Sequence, residues 1–467
     1  MPRFCARLPV FFFIFLALAG CGERQDPVSE STNTEKTIAR GIPAWFAGHT
    51  LYEVHVRAGS PEGTFVGLRE RLDHLKDLGV RNLLLVPVTR VGGDRRGHLG
   101  NIYATADHRS VDPAYGSAAD MRAFVRDAQA RGMRVMLDLV LPFAAVDHER
   151  AAEHPDWFKR DAQGHPMRRL SQWHDIMDFD LAQPEARLYL RESVLFWARE
   201  MGVDGFRFAL PLLAPDDFWG ELVQACHEQQ PDLALIVEST DARFLDLGFD
   251  ATANPSLKAA MDFCRLDDLA QIGLVDDVWR SIWIPQEQDP TWGAPVVFLE
   301  DHAHHRSAPS YPPEFLPGYA AVVFTSPGVP QLLMGQEIGC RTNPDSCQAW
   351  QVDWERADAR YLEIYRSLIG LRASSPALRR GDFRREGLSD PELMTFSRTL
   401  GEEMVFCAAN LSNGRPAFEL PERLLAERWQ EWDGRAFSGE ARTLVGEQAV
   451  PPGGYRIWRR VSGNQGV

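Results

Sequence analysis

An eight-stranded parallel β/α barrel followed by an all-β C-terminal domain is the fold class this sequence predicts. Three observations carry that reading. From about residue 43 to 375, short apolar runs alternate with amphipathic helical stretches; seven runs read clearly as strands and one weaker candidate makes eight; and from about 380 onward the pattern changes to short alternating runs between turn residues. Strict β–α alternation produces a parallel sheet with helices outside it, and eight such units close into a barrel. A doubly wound open sheet is the alternative, and no glycine-rich phosphate loop supports it.

The strand runs are LYEVHVR (51–57), NLLLVPV (82–88), MRVMLDLV (133–140), GFRFAL (205–210), LALIVES (233–239), VVFLE (296–300) and PQLLMG (330–335), with the weak candidate near Phe244–Ala251. Helical patterns fill the gaps, as in residues 67–79 and 119–132. In the second, Met121, Phe124, Val125 and Ala128 fall on one face at i, i+3, i+4, i+7 spacing. An excursion follows the third strand, roughly Pro142 to Asp180, with several His, Trp and Pro residues and little periodicity. The barrel is bounded at 43–378 and a β-sandwich at 379–467, with LMTFSRT, EMVFCAANL and GGYRIWRR among its strands.

The N-terminus reads differently. Arg3 and Arg7 precede a short apolar core from Pro9 to Leu18, too short to span a bilayer and built like a secretory signal over 1–20. It ends in Leu18-Ala19-Gly20-Cys21, which resembles a bacterial lipobox, so Cys21 is the expected lipidation site; the alternative is an ordinary cleaved signal with an incidental cysteine. Acyl chains anchor by about 0.8 kcal/mol per buried methylene. Gly22, rather than Asp, follows the cysteine, which favours an outer-membrane address for an exported bacterial lipoprotein on the periplasmic side. Residues 21–42 are polar, lack a core and read as a flexible tether.

The formal charge is −15, from 50 basic and 65 acidic residues, with no basic run. That balance argues against a nucleic-acid partner. Of seven cysteines, Cys5 leaves with the signal and Cys21 carries lipid. Cys340 and Cys347 close a short loop, and in a disulfide-permissive compartment a bridge between them is expected; metal binding is the weaker alternative, without a CxxC or clustered Cys/His pattern. Cys226, Cys264 and Cys407 read as buried thiols.

The segments GVRNLLLVPV (79–88), VDPAYGS (111–117), RGMRVMLDLV (131–140), GVDGFRF (202–208), GVPQLLMGQEIG (328–339) and YLEIYRSLIGLRASSPALRRGDF (361–383) occur in order at the expected strand ends. Together they resemble the signature segments of the α-amylase family, glycoside hydrolase family 13, from Trp45 to Arg460. The resemblance implies a retaining glycosidase site at the C-terminal ends of the strands, with a nucleophile and an acid about 5–5.5 Å apart.

Two of that family's three catalytic carboxylates are missing. The nucleophile follows a G-F-R-x pattern; here Gly205-Phe206-Arg207-Phe208 is followed by Ala209, and a methyl group cannot attack an anomeric carbon. The nearest downstream acids, Asp216 and Asp217, fall in what reads as the next helix. Glu238 stands where the family carries its general acid. The third carboxylate is Ala303, after Glu300-Asp301-His302; His302 matches the sugar-contacting histidine. The D-x-V-x-N-H run reads Asp138-Leu139-Val140-Leu141-Pro142-Phe143, so an asparagine that ligates calcium in many members is lost and that site is in doubt. No metal or cofactor is expected. In Ile102-Tyr103-Ala104 the stacking Tyr103 is kept and the acid is gone.

Removing a covalent nucleophile costs about five to six orders of magnitude, or roughly 7–8 kcal/mol of barrier. A non-hydrolysing protein that binds or senses α-glucans or maltooligosaccharides through Tyr103, Arg207, Glu238 and His302 is the expectation, with Trp173, Trp292, Trp350 and Trp354 as rim platforms. Arg207, deprived of its nucleophile partner, is expected to pair with Glu238 and depress its pKa. Alternatives are an active α-glycosidase or transglycosylase using His304 or His305, and a membrane-anchored interaction scaffold with an unidentified protein partner.

Overall fold

Eight short strands alternate with helices around a closed ring: β1 (Leu51–Val54), β2 (Asn82–Leu85), β3 (Arg134–Leu139), β4 (Gly205–Phe208), β5 (Ala234–Val237), β6 (Ala251–Thr252), β7 (Val296–Phe298) and β8 (Val329–Leu333). Every pairing is parallel, and the order β6-β5-β4-β3-β2-β1-β8-β7 is sequential around the ring. A parallel bridge between Ala253 and Val296 joins the two ends. This computed structural model describes residues 42–93, 99–253, 255–265, 295–386, 393–412, 414–415 and 417–461. The signal, Cys21, most of the tether and Trp292 lie outside the described residues, and nothing of the Cys264 side chain is described.

The weak sixth strand is shorter and later than the sequence suggests. Arg243–Asp246 form a helical turn, and only Ala251–Thr252 pair with β5. A four-residue turn buries Phe244 against the barrel, so the apolar pattern there is helical packing rather than strand alternation. Residues 67–79 likewise divide into Phe65–Arg69 and Leu72–Leu78, the latter closed by Gly79 at φ 95°.

The first long helix, α1 (Ala118–Ala130), buries the four residues that its periodicity selected, and a capping box fixes its start: Asp120 N donates to Ser117 Oγ at 3.2 Å while Ser117 N donates to Asp120 Oδ2 at 2.8 Å. Two further helices, α2 (Pro184–Phe196) and α3 (Asp216–Gln229), cover β4 and its neighbours. The barrel floor is closed by Phe46, packed with Leu51, Leu84, Met136, Ile236 and Val329.

Two loop assemblies rise over the C-terminal ends of the strands. After β2, Thr89–Val91 pairs with Thr105–Val111; after β3, the excursion is pinned at its base by Phe143–Ala145 pairing with Ile176–Asp178. The C-terminal region is a six-stranded antiparallel sheet, β9 (Asp382–Arg385), β10 (Leu393–Leu400), β11 (Glu403–Asn410), β12 (Arg428–Trp432), β13 (Phe437–Arg442) and β14 (Tyr455–Val461), with a two-stranded companion. Buried Arg398 of β10 ties it to the barrel by donating to the Thr325 carbonyl at the end of α4 (Leu316–Thr325), where Arg372 of the barrel's last helix donates to the carbonyls of Phe324 and Ser326. Guanidinium donors satisfy the orphan carbonyls of a helix C-terminus.

Candidate functional site

Strand alternation points Glu53 of β1, Asp138 of β3 and Arg207 of β4 into the barrel, with Asp138 and Arg207 side by side in register. All three are buried, and Arg207 is 2% exposed. Its Nη2 donates to Glu53 Oε1 at 2.9 Å and also to Asp138 Oδ2. His302, just after β7, completes the group: its Nδ1 lies 2.5 Å from Glu53 Oε1, and its backbone N donates to Glu53 Oε2 at 3.2 Å. Burial opposes charge on this imidazole, yet Glu53 outweighs it and lifts the His302 pKa to about 9. Glu53 is driven the other way: burial resists ionisation, but His302 and Arg207 hold it far below the usual carboxylate range. Two carboxylates thus face two cations, a self-neutralised quartet across four strands.

This overturns the expected Arg207–Glu238 ion pair. Arg207 Nη2 pairs instead with Asp138 on the adjacent β3 and with Glu53, which reaches it from β1. The expected depression of Glu238 fails with it: the carboxyl is pushed above its ordinary range, first by burial, against the pull of Arg207 and His302. Glu238 ends β5 with its amide on the Phe208 carbonyl at 3.0 Å, and is itself half-buried. Among the described residues no hydrogen bond reaches its carboxyl.

Beside the quartet lies an apolar region. Ala209, where the sequence resemblance leads one to expect a nucleophile, is 2% exposed and packs in one cluster with Ala104, Val140, Phe143, Trp173 and Ile176. Ala104 and Phe143 are two further positions where that resemblance leads one to expect a polar residue. These three apolar residues, scattered over the sequence, therefore meet in one cluster. Tyr103 packs on the edge of this cluster, stacked on Trp173 at 5.8 Å with the rings 14° apart, and remains half-buried. Leu210, next after Ala209, adopts φ 52°, the one positive φ outside glycine among the described residues.

Ala303, where the resemblance leads one to expect a third carboxylate, is half-buried. Its neighbour Asp301 turns away to its own loop, accepting from Ala303 N at 2.9 Å and meeting His304 Nδ1 at 2.6 Å. Asp301 does not occupy the lost carboxylate's place. His305 is exposed beside Asn343 at 3.2 Å. Asp216 and Asp217 begin α3, where Asp217 pairs with Arg187 at 2.8 Å outside the site.

Other expectations are corrected here. Cys340 and Cys347 are free thiols, not a disulfide. Their loop is held instead by Asp345, which accepts from Cys347 N at 2.7 Å, and by Leu99 N donating to the Cys347 carbonyl at 3.1 Å. The calcium position does not fit an ion: Pro142 has no side-chain oxygen, its carbonyl accepts from Phe179 N at 3.1 Å, and Asp138 is committed to Arg207. Among the described residues no group of three or more His, Cys, Asp or Glu is placed to hold a metal. Trp350 is buried against His55 at 5.1 Å and under Arg306, and Trp354 packs on His74 and Arg71, so neither is an open platform. His55, buried beside His302, is kept near 3 by burial first and by that cation second.

Glu53 is the site residue that the sequence reading passed over. An acid in the middle of an otherwise apolar strand run, LYEV, was its signal: such a group is buried only with a cationic partner.

Comparisons with known proteins fit this geometry. Residues 29–175 match the family model described as alpha amylase, catalytic domain. The chain is 27% identical to the alpha-amylase MalA of Haloarcula japonica, across 92% of this chain and 66% of that protein. It is 28% identical to a cyclomaltodextrinase of Geobacillus thermopakistaniensis, across 85% of this chain and 70% of that one. The chain thus spans about two thirds of the length of these curated relatives. Among solved structures, an alpha-amylase from Lactobacillus plantarum superposes with a TM-score of 0.79 at 24% identity, over 89% of this chain and 100% of that one. The Geobacillus thermoleovorans alpha-amylase complexed with acarbose gives 0.75 at 20% identity, over 90% and 99%.

Proposed function

We propose that this α-amylase-family barrel is a non-hydrolysing α-glucan-binding protein, exported and held at a membrane by lipid on Cys21. The observation that carries the first half is Ala209, buried in apolar packing where the family's mechanism needs an attacking oxygen. One acid, Glu238, cannot run a two-carboxylate displacement. Binding rests on what remains at the mouth: a half-buried carboxyl without a hydrogen-bond partner among the described residues, beside the half-buried ring of Tyr103. Sugar recognition uses such pairs of an aromatic face and a polar hydrogen-bonding group. The names of the relatives, an alpha-amylase and a cyclomaltodextrinase, and the acarbose complex of a structural neighbour point to α-glucans as the ligand class.

Calorimetry with maltoheptaose, coupled to a reducing-sugar assay on the same samples, tests the reading. Heat of binding without product supports it, and no heat at millimolar ligand sinks it. Radiolabelled palmitate incorporated by the wild type and lost in Cys21→Ala is the corresponding outcome for the anchor.

One observation favours a second reading, an active α-glycosidase. The Glu238 carboxyl is held above its usual range by burial, which is the state a general acid needs. Turnover of an aryl α-glucoside that vanishes in Glu238→Gln would establish that reading instead.

A further inference from the structure

Beneath the excursion, away from the quartet, three elements meet at two buried histidines. His108 comes from the Thr105–Val111 strand, His148 follows the first strand of the excursion, and Tyr189 comes from α2. His108 Nδ1 lies 3.2 Å from His148 Nε2, and the Tyr189 hydroxyl lies 3.3 Å from the same Nε2. His108 and His148 are 1% and 2% exposed. Phe158 and Phe179 of the excursion pack on the His148 ring at 5.5 and 5.7 Å.

The hydrogen bonds fix where the protons sit. The Arg150 amide donates to His148 Nδ1 at 3.2 Å, so that nitrogen keeps its lone pair and the ring proton is on Nε2. That Nε2–H points to His108 Nδ1, which must then be an acceptor. Neither ring has an open acceptor for another proton: on His148 it would face the Arg150 amide, and on His108 it would face the His148 Nε2–H. A proton entering the pair therefore breaks a hydrogen bond and places a cation in an aromatic box.

The geometry points to an acid-released latch: protonation of the His108–His148 pair unfastens the excursion and uncovers the barrel mouth. The excursion supplies Trp173 and Ile176 to the apolar cluster that encloses Ala209, so its release is what opens that cluster. The charged and titratable groups facing the pair are Asp107 and Arg109 on one side and Arg90, Glu149 and Arg150 on the other, with Tyr189 above. None of them hydrogen-bonds a ring through a carboxylate; the Val140 backbone and Asp107 favour a charge on His108, and burial outweighs both. Burial lowers His108 to about 4, and burial with the neighbouring His108 lowers His148 to about 2. A depressed histidine pKa means the fastened state is complete above the ordinary value of about 6.5 and is lost as pH falls toward the folded values. Each histidine contributes up to about tenfold in opening per pH unit below that point.

Amide exchange of the intact chain, corrected for intrinsic rates, measures this between pH 7.5 and 5.5. Peptides from 143–178 should lose protection by about tenfold or more while β2 and β3 keep theirs. The double variant His108→Phe, His148→Phe should show a flat profile. The latch is overturned if wild-type protection over 143–178 holds until β2 and β3 also open, or if the double variant responds to acid as the wild type does. Should that variant not fold, histidine ring NMR of the wild type decides: rings that protonate while 143–178 stays protected overturn the latch, and coincident changes support it. The consequence for ligand rests on the glucan-binding reading. Maltoheptaose binding that strengthens at pH 5.5 supports both, whereas release of the excursion with no binding at either pH keeps the latch and sinks the glucan reading.

Discussion

The two halves of the candidate site, a charged quartet and an apolar cluster, are built in opposite ways. In the quartet drawn from β1, β3, β4 and the end of β7, charge is retained and cancelled: Glu53 and Asp138 hold Arg207 and His302. In the cluster formed by the loops after β2, β3 and β4, the space is apolar throughout, with Ala104, Phe143 and Ala209 packed with Trp173. A buried arginine cannot lose its partner without replacement, because an unpaired guanidinium in a dry interior is costly. An alanine needs no polar partner when its neighbours are apolar too. The contrast says which half of the site is rigidly interlocked and which is merely packed.

The largest effect should come from cutting the interlock. Arg207→Met leaves two buried carboxylates without their shared cation and should lower unfolding free energy by about 3–5 kcal/mol, read by denaturant titration. A loss under about 1 kcal/mol would mean that the carboxylates simply protonate and that the quartet is not an electrostatic unit.

A pH titration sharpens the same half. His302 is raised to about 9 by Glu53, so its contribution is complete below the unfolded value near 6.5 and is lost as pH rises through the folded value. Stability should fall by up to about 3 kcal/mol between pH 6.5 and 9.5, and Glu53→Gln should flatten that fall. An equal fall in the variant would assign it to other groups.

The packed half predicts a smaller cost with a clear functional reading. Ala209→Asp places a carboxyl among Phe143, Trp173 and Ile176, beside an arginine that already has two anionic partners. It should destabilise by about 2–3 kcal/mol. Even combined with Ala303→Asp, it should give no turnover of an aryl α-maltoside. Turnover gained in the double variant would show that the rest of the site remains assembled and that the apolar filling is shallow.

The same division explains what was legible in the sequence. Barrel, order of strands and C-terminal sheet follow from local periodicity, and α1 buries the four residues that its spacing selects. The sixth strand was blurred because Phe244 obeys helical packing while only Ala251 and Thr252 reach the sheet. At the site, the missing groups at 209 and 303 were readable as residue types, since an alanine has no oxygen in any conformation. Partnership was not. Arg207 meets Asp138 by strand register but Glu53 only because the ring closes, and Glu53 stands 154 positions away in sequence. Likewise the cysteine spacing over 340–347 allowed a bridge, while Asp345 and Leu99 hold the loop with both thiols free.

Glu238 sits between the halves, and changing it should be the least disruptive substitution and the most informative about ligand. Its half-buried carboxyl has no hydrogen-bond partner among the described residues, so Glu238→Gln, similar in shape, should alter stability by less than about 0.5 kcal/mol. Burial raises its pKa, which favours the protonated form as the one that meets a sugar hydroxyl. A protonated carboxyl and an amide both offer a donor and an acceptor. Glu238→Gln should therefore bind maltoheptaose within about threefold of the wild type, while Glu238→Ala should lose about tenfold, the value of one hydrogen bond. Wild-type affinity should decline as rising pH ionises the carboxyl, and the glutamine variant should not follow it. If instead glutamine weakens binding as much as alanine does, Glu238 meets its ligand as a carboxylate, and the cations of Arg207 and His302, not burial, set its state at the mouth.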